Sequence, residues 1–319
     1  MWSAATCWKA KRLMAPNPQR REDMSKKARV QIRSFQGFAC IICTMLTLTG
    51  AGGLLGEVFG QVPERGGKKK IYIVTDLEGV TGVYQFVQTR EPGPLNEKAK
   101  EFFMGDLAAV IKGLRDGGAD EIWVLDGHGS GAVLPELMVP GAVYIVGRPR
   151  PVLYGLDETF AGLVQFGAHA MNGTPDGVLA HTQSSRTENR YWYNGVESGE
   201  LAQVAAYAGY FNVPTIMVTG DEAACREART FFGEHIVTVA VKKGISREAA
   251  VLYPFEETRK ALYEGAKKAM EVIPLCKPYK LQTPIQARKE WLVFDTPDGK
   301  PRLMTKEGVI DSVLKIFEF

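Results

Sequence analysis

The chain has 319 residues, 45% apolar and 24% charged, the balance of an ordinary globular protein rather than a disordered or fibrous one. Its net charge of +3 is unevenly placed: nine of the 39 basic but only three of the 36 acidic residues fall within 1–60, so this head carries +6 and the rest −3. A positive head on a mildly acidic body excludes a basic nucleic-acid-binding domain, whose Lys and Arg would cluster in the folded part.

Between Arg33 and Glu57 lie 23 uncharged residues, among them the apolar run 38–48, preceded by Lys26, Lys27, Arg29 and Arg33. A basic stretch, an apolar stretch and then small residues make a secretory signal, with cleavage expected near Gly60 and export to the periplasm or the cell exterior. The alternative is an uncleaved membrane anchor over 34–56, because 23 residues can span a bilayer. Thr44, Thr47, Thr49, Gly50, Gly52 and Gly53 dilute the hydrophobicity and favour the cleaved form. Met24 is an alternative start. Beyond the head only Cys225 and Cys276 remain, and in an oxidising compartment they either pair or stay free.

From residue 70 onward the pattern alternates between strands and helices. Strands are expected over 70–75, 121–125, 142–146, 162–166, 215–219 and 236–241, mostly apolar on both faces, and helices over 97–114, 198–211, 221–232 and 255–272. Such strands suit a sheet covered on both sides, so the fold class is α/β with a mainly parallel sheet and helices on both faces. The division is a head over 1–60, an α/β domain over 61–274 and a smaller α+β extension over 275–319. In that extension a strand near 291–294 and a terminal helix over 306–317 are expected.

Ligands of open α/β sheets bind at the carboxyl ends of the strands, so the residues following each strand carry the interest. After the first strand come Asp76 and Glu78, which point the same way on an extended chain and repel each other unless a cation intervenes. The second strand is followed by Asp126-Gly127-His128, the strand over 162–166 by Gly167-Ala168-His169, and His181 follows twelve residues later. Glu200 opens the helix beginning at Ser198, where its charge also suits the helix dipole. Three carboxylates and two imidazoles without thiolate, namely Asp76, Glu78, His128, His169 and Glu200, suit zinc, with manganese or cobalt as alternatives. Five ligands suffice for two metals sharing a bridging carboxylate. His181 is then left to move protons or to meet a tetrahedral intermediate, and Asp126 to orient the His128 ring.

These residues resemble a known family, the zinc-dependent D-aminopeptidases of the DppA type. The matching blocks are Asp76-Leu77-Glu78-Gly79, Asp126-Gly127-His128, the stretch 155–160, Gly167-Ala168-His169-Ala170, Ala180-His181, Gly199-Glu200-Leu201 and Val218-Thr219-Gly220-Asp221. They follow the family's order and span about 70–272. The resemblance implies two zinc ions held by Asp76, Glu78, His128, His169 and Glu200, and a catalytic histidine at His181. It implies a short peptide substrate with an N-terminal D-residue, cleaved with a zinc-activated hydroxide, and a ring-shaped homo-oligomer. The loop 171–180 is one residue longer than the family pattern, the region after Pro274 does not align, and the head is additional. The other readings are a two-metal hydrolase of another class, such as a phosphoesterase, and an exported protein that binds peptide or metal without catalysis. Against the phosphoesterase, no Gly-rich phosphate loop is present, and only Arg186 and Arg190 stand near the ligand blocks.

Overall fold

A computed structural model describes residues 67–296 and 299–319. The signal or anchor expected over 1–60 lies outside them. Strand β1 (Lys70–Thr75) is followed by the one-turn helix α1 (Val87–Arg90), the long helix α2 (Pro94–Asp116), β2 (Glu121–Leu125), β3 (Val143–Ile145) and β4 (Phe160–Ala168). Next come a short hairpin of β5 (Arg190–Tyr193) and β6 (Val196–Glu197), α3 (Glu200–Tyr210), β7 (Thr215–Asp221), α4 (Glu222–Phe232), β8 (Val237–Ser246), β9 (Ala249–Leu252) and α5 (Phe255–Val272). The chain closes with β10 (Ile285–Val293), β11 (Arg302–Ile310) and a 3-10 turn at Val313–Glu318.

Seven strands form the main sheet in the order β3-β2-β1-β4-β7-β8-β9, parallel except for β9 against β8. Side chains alternate across it. Ile71 and Ile73 face Phe103, Leu107, Ile111, Leu262 and Ala266 of α2 and α5, whereas Tyr72 and Leu163 face Ala208 at the end of α3. Helix α4 packs Ala224 and Ala228 on Val218 and Ala168. Both faces are thus covered, which is why β1, β4 and β7 read as continuous apolar runs. The strand order reverses between β1 and β4, and an α/β sheet opens its crevice at such a switch point.

The second sheet, β11-β10-β5-β6, is antiparallel throughout and joins the hairpin over 190–197 to the strands over 285–310. It overturns the terminal helix expected over 306–317. Residues 302–310 instead pair one for one with β10, from Ile285 opposite Ile310 to Val293 opposite Arg302. Gly308 weakens a helix there, and β-branched Val309 and Ile310 suit a strand. Pairing lets Ile310, Val313 and Ile316 bury against Tyr191, Tyr193 and Ile285. The strand expected at 291–294 starts earlier, at Ile285, and β9 adds an unforeseen antiparallel edge. Cys225 and Cys276 are both free thiols.

Helices α2 and α5 meet at Gly113, where an added Cβ would lie 2.3 Å from the Tyr263 carbonyl oxygen and 2.8 Å from the Ala266 Cβ. Gly113→Ala gains about 1 kcal/mol of helix propensity, but overpacking two rigid helices costs about 1–3 kcal/mol. We expect the variant to unfold at lower temperature than the parent in a thermal melt, the reverse of an exposed Gly-to-Ala change in a helix.

Candidate metal centre

The candidate residues arrive at one place because β1, β2 and β4 are neighbours and end together. Asp76 and Glu78 follow β1, His128 follows β2, His169 follows β4, and Glu200 starts α3. The loops after β1 and β4 are stitched by Gly79 N–H to the Gly167 carbonyl (2.6 Å) and Asp76 N–H to the Phe166 carbonyl (2.8 Å). Gly167 has φ +69°, and a Cβ there would sit 2.2 Å from the Asp76 carbonyl oxygen, so this approach needs glycine.

The side chains converge. His169 Nε2 lies 3.1 Å from Asp76 Oδ2 and 3.5 Å from Glu200 Oε1, and His128 Nε2 lies 3.3 Å from Glu78 Oε1. Asp76, Glu78 and His169 bring ligand atoms within 4.8 Å of one another, as do His169, His181 and Glu200, so His169 is common to two potential metal positions. His128 stands beside the first group through Glu78. His181 Nε2 is 3.9 Å from Glu200 Oε1, and its ring stacks on that of His169 at 3.9 Å between centroids. The longer loop 171–180 therefore leaves His181 inside the cluster.

Ring orientation follows from the outer nitrogens. His169 Nδ1 faces the Ala170 carbonyl at 3.0 Å and His181 Nδ1 the Leu179 carbonyl at 2.8 Å, so each Nδ1–H donates and Nε2 turns to the carboxylates. Leu179 and Gln183, flanking His181, both hold positive φ, at 54° and 60°, conformations that non-glycine residues adopt at a cost. His128 Nδ1 pairs with Ser130 Oγ at 3.0 Å. This corrects the role expected of Asp126, whose carboxylate accepts the Ala132 and Val133 N–H groups and shapes the loop instead. Ser198 does not cap α3; its hydroxyl donates to the Val196 carbonyl, and Gly199 is the cap.

Electrostatics show what the cluster lacks. Burial and the charge of Glu78 push Asp76 up to about 7, against the pull of His169. His128 rises to about 9 because Glu78 beside it outweighs burial, and the Asp76 and Glu200 carboxylates raise His169 well above the usual imidazole range. Glu200 is drawn down to about 2 by His169 and His181 despite its burial. Three converging carboxylates thus demand positive charge and hold protons on imidazoles to obtain it. Glu78 Oε2 is buried with no hydrogen bond, and His169 Nε2 meets only the Asp76 and Glu200 carboxylates. Unspent buried oxygen and nitrogen donors beside surplus negative charge fit zinc.

A family model described as D-aminopeptidase matches residues 69–296. The chain belongs to the D-aminopeptidase family. The D-aminopeptidase of Bacillus subtilis (strain 168) is 34% identical over 186 residues, 56% of this chain and 66% of that protein, just under two thirds of its length. A solved structure described as the Zn-dependent D-aminopeptidase DppA from Bacillus subtilis, a self-compartmentalizing protease, superposes with a TM-score of 0.71 at 25% identity, covering 78% of this chain and 94% of that one.

In this D-aminopeptidase family member, residues that sequence reasoning missed brace the centre. Gln183 N–H donates to Glu200 Oε1 at 2.6 Å, Tyr191 donates to Gln183 Oε1 at 2.8 Å, and Gln183 Nε2 reaches Gln203 at 3.1 Å. Lys242 is fully buried on β8, and its ammonium donates to the carbonyls of Glu78 (2.5 Å), Val80 (2.9 Å) and Val83. Burial lowers its pKa to about 8. Nothing in its local sequence, Ala240-Val241-Lys242-Lys243, distinguishes it from a solvated lysine. Of the two arginines near the ligand blocks, Arg186 lines the cavity, whereas Arg190 is spent on Glu197 through two hydrogen bonds at 2.6 and 2.7 Å.

Lys242→Met strands the buried Glu78 and Val83 carbonyls, each worth about 1–3 kcal/mol when unpaired, and leaves Val80 with only its 3.2 Å bond from the Val83 N–H. We expect lower stability in urea unfolding and weaker zinc binding in competition with a chelator. Unaltered zinc affinity would show that the ammonium does not hold the Glu78 loop for metal.

Proposed function

We propose that this protein is an exported zinc-dependent D-aminopeptidase that releases the first residue of short peptides beginning with a D-amino acid. The observation that carries the reading is the convergence, at the sheet's switch point, of three carboxylates and three imidazoles with unspent buried donor atoms, in a chain of the D-aminopeptidase family. Asp76, Glu78, His128, His169 and Glu200 would hold two zinc ions, with manganese or cobalt as substitutes. Bound zinc supplies a lowered pKa for water and polarisation of the scissile carbonyl.

His181 does the proton work. Its Nδ1–H is committed to the Leu179 carbonyl, so Nε2 is the free position, and burial with the neighbouring His169 lowers its pKa and keeps the ring neutral. A neutral Nε2 takes a proton from the attacking water and returns it to the leaving amine as the peptide C–N bond breaks. The cavity around it, about 870 Å³, lies in the range of small-ligand sites and suits a short peptide. By analogy with the self-compartmentalizing relative we place the protein in a closed homo-oligomer, ring-shaped by family resemblance. Export rests on the basic, then apolar, head. No helix among the described residues is long and apolar enough to cross a membrane.

Paired D- and L-aminoacyl peptides, with phosphoesters beside them, assayed before and after zinc removal, test the reading. Hydrolysis of D-peptides that is lost with chelator and restored by zinc is expected; equal rates on L-peptides, or rates insensitive to chelator, would refute it. His181→Ala should lower kcat by about 10²–10⁴-fold while metal content, measured by elemental analysis, stays that of the parent. Loss of metal together with activity would instead make His181 a ligand, consistent with its place beside His169 and Glu200.

A further inference from the structure

The cavity carries charges of both signs. Asp76, Glu78 and Glu200 line it, and so do four arginines, Arg90, Arg148, Arg150 and Arg186. Arg186 is paired with Glu91 at 2.8 Å. Arg90 has spent the edge of its guanidinium on Ser185, through Nε to Oγ at 2.8 Å and Nη2 to the carbonyl at 2.9 Å, and lies against the Phe86 ring. Arg148 and Arg150 differ from Arg186 in lacking an acidic partner, and from Arg90 in touching only main-chain carbonyls, with no side-chain hydrogen bond.

Neither Arg148 nor Arg150 forms an ion pair among the described residues, and both donate to backbone carbonyls. Arg148 Nη2 reaches Gly127 at 3.0 Å, while Arg150 reaches Asp126 and Gly147. Asp126 and Gly127 immediately precede His128, so the two guanidiniums are tethered next to the candidate metal ligands. A guanidinium has five N–H donors, and most of these are unused. The segment Arg148-Pro149-Arg150-Pro151 alternates the cations with prolines, whose fixed φ limits the freedom lost when a ligand docks. Burial and the Arg148 charge lower the Arg150 pKa against the opposing pull of the Asp126 carboxylate, so the two guanidiniums repel each other. An anion in the cavity would relieve that repulsion.

We infer that Arg148 and Arg150 receive the C-terminal carboxylate of the substrate, so that the substrate class is short peptides with a free carboxyl end. The inference rests on the D-aminopeptidase reading. Planar carboxylate oxygens match a guanidinium fork, and paired charge-assisted hydrogen bonds fix orientation as well as affinity. With the scissile bond at the ligand cluster and the carboxylate at the arginines, each intervening residue adds at most about 3.6 Å. A free carboxyl end within a few residues of the scissile bond thereby gains an anchor that a long chain or a blocked carboxyl end lacks. The sequence pattern hides this because the two arginines follow His128 by 20 and 22 residues, beyond β3, and only the β2–β3 pairing returns them to it.

The test compares D-alanyl-D-alanine with its C-terminal amide on the zinc-loaded full chain, for the parent, for Arg148→Gln/Arg150→Gln and for Arg150→Lys. The parent should show kcat/KM about 10- to 100-fold higher for the free acid, the equivalent of one charge-assisted hydrogen bond. In the double Gln variant this ratio should collapse toward one, and Arg150→Lys should keep part of it, chiefly through KM. Equal rates on acid and amide in the parent, or an undiminished ratio in the double variant, would overturn the inference while leaving the D-aminopeptidase reading intact. No hydrolysis of either compound, nor of any other D-peptide, would overturn both. Circular dichroism melts of the variants ensure that a collapsed ratio belongs to folded protein.

Discussion

The segment that carries Asp76 and Glu78 hangs from one buried ammonium. Between β1 and α1 the chain runs through irregular backbone in which the carbonyls of residues 78, 80 and 83 point inward, where neither a helix nor a strand can satisfy them. A lysine ammonium has three donors, and Lys242 uses all three on these carbonyls. Its position is set by β8, whose pairing with β7 places Lys242 opposite Asp221, itself the cap of α4 and the acceptor of the Val178 N–H at 2.6 Å. One register thus connects the loop bearing two candidate ligands with the loop leading to His181. The same charge acts on the Glu78 carboxylate and on the buried Asp106 and Asp221.

That dependence explains which parts were legible in the sequence. Strands β1, β2, β4 and β7 declare themselves as apolar runs, and the rule that ligands gather beyond strand ends singles out Asp76, Glu78, His128 and His169 before any coordinates. Glu200 needed more, because an acidic residue in a first helical turn has an ordinary explanation in the helix dipole. Lys242 was illegible for a physical reason: its role is fixed by three backbone carbonyls some 160 residues away, and backbone acceptors leave no mark on the side-chain pattern. Asp126 misled in the opposite sense, since a carboxylate two residues before an imidazole invites an orienting role that the Ser130 hydroxyl fills.

The second sheet was the least legible part. β5 and β6 are four and two residues long, too short for periodicity to speak, and β11 contains Lys306 and Glu307, good helix formers placed in a strand by pairing with β10. Yet this sheet reaches the centre. Tyr191 and Tyr193 on β5 hold Gln183 and Gln203, and Gln183 in turn donates to Glu200. The tyrosines are buried because β10 and the terminal 3-10 turn cover them. The residues after 274 therefore act on a candidate ligand through two successive hydrogen bonds, although the family model ends at 296.

The charge of the chain takes its meaning from where it is placed. A body of −3 distributed over a surface would say little, but three of its acids meet in one cavity with imidazoles that take protons in response, and two arginines without acidic partners line the same cavity. The guanidiniums are held by the carbonyls just before His128, and the carboxylates by the loops after β1 and β4, so neither set pairs with the other. A site that keeps opposite charges apart holds an electric field across its ligand space. Once the acids hold zinc, the guanidiniums are the charges left to meet the carboxyl end of a peptide, and a peptide anchored there turns its other end toward the metal centre. Orientation is thereby set from the arginine end of the cavity, not by the acids.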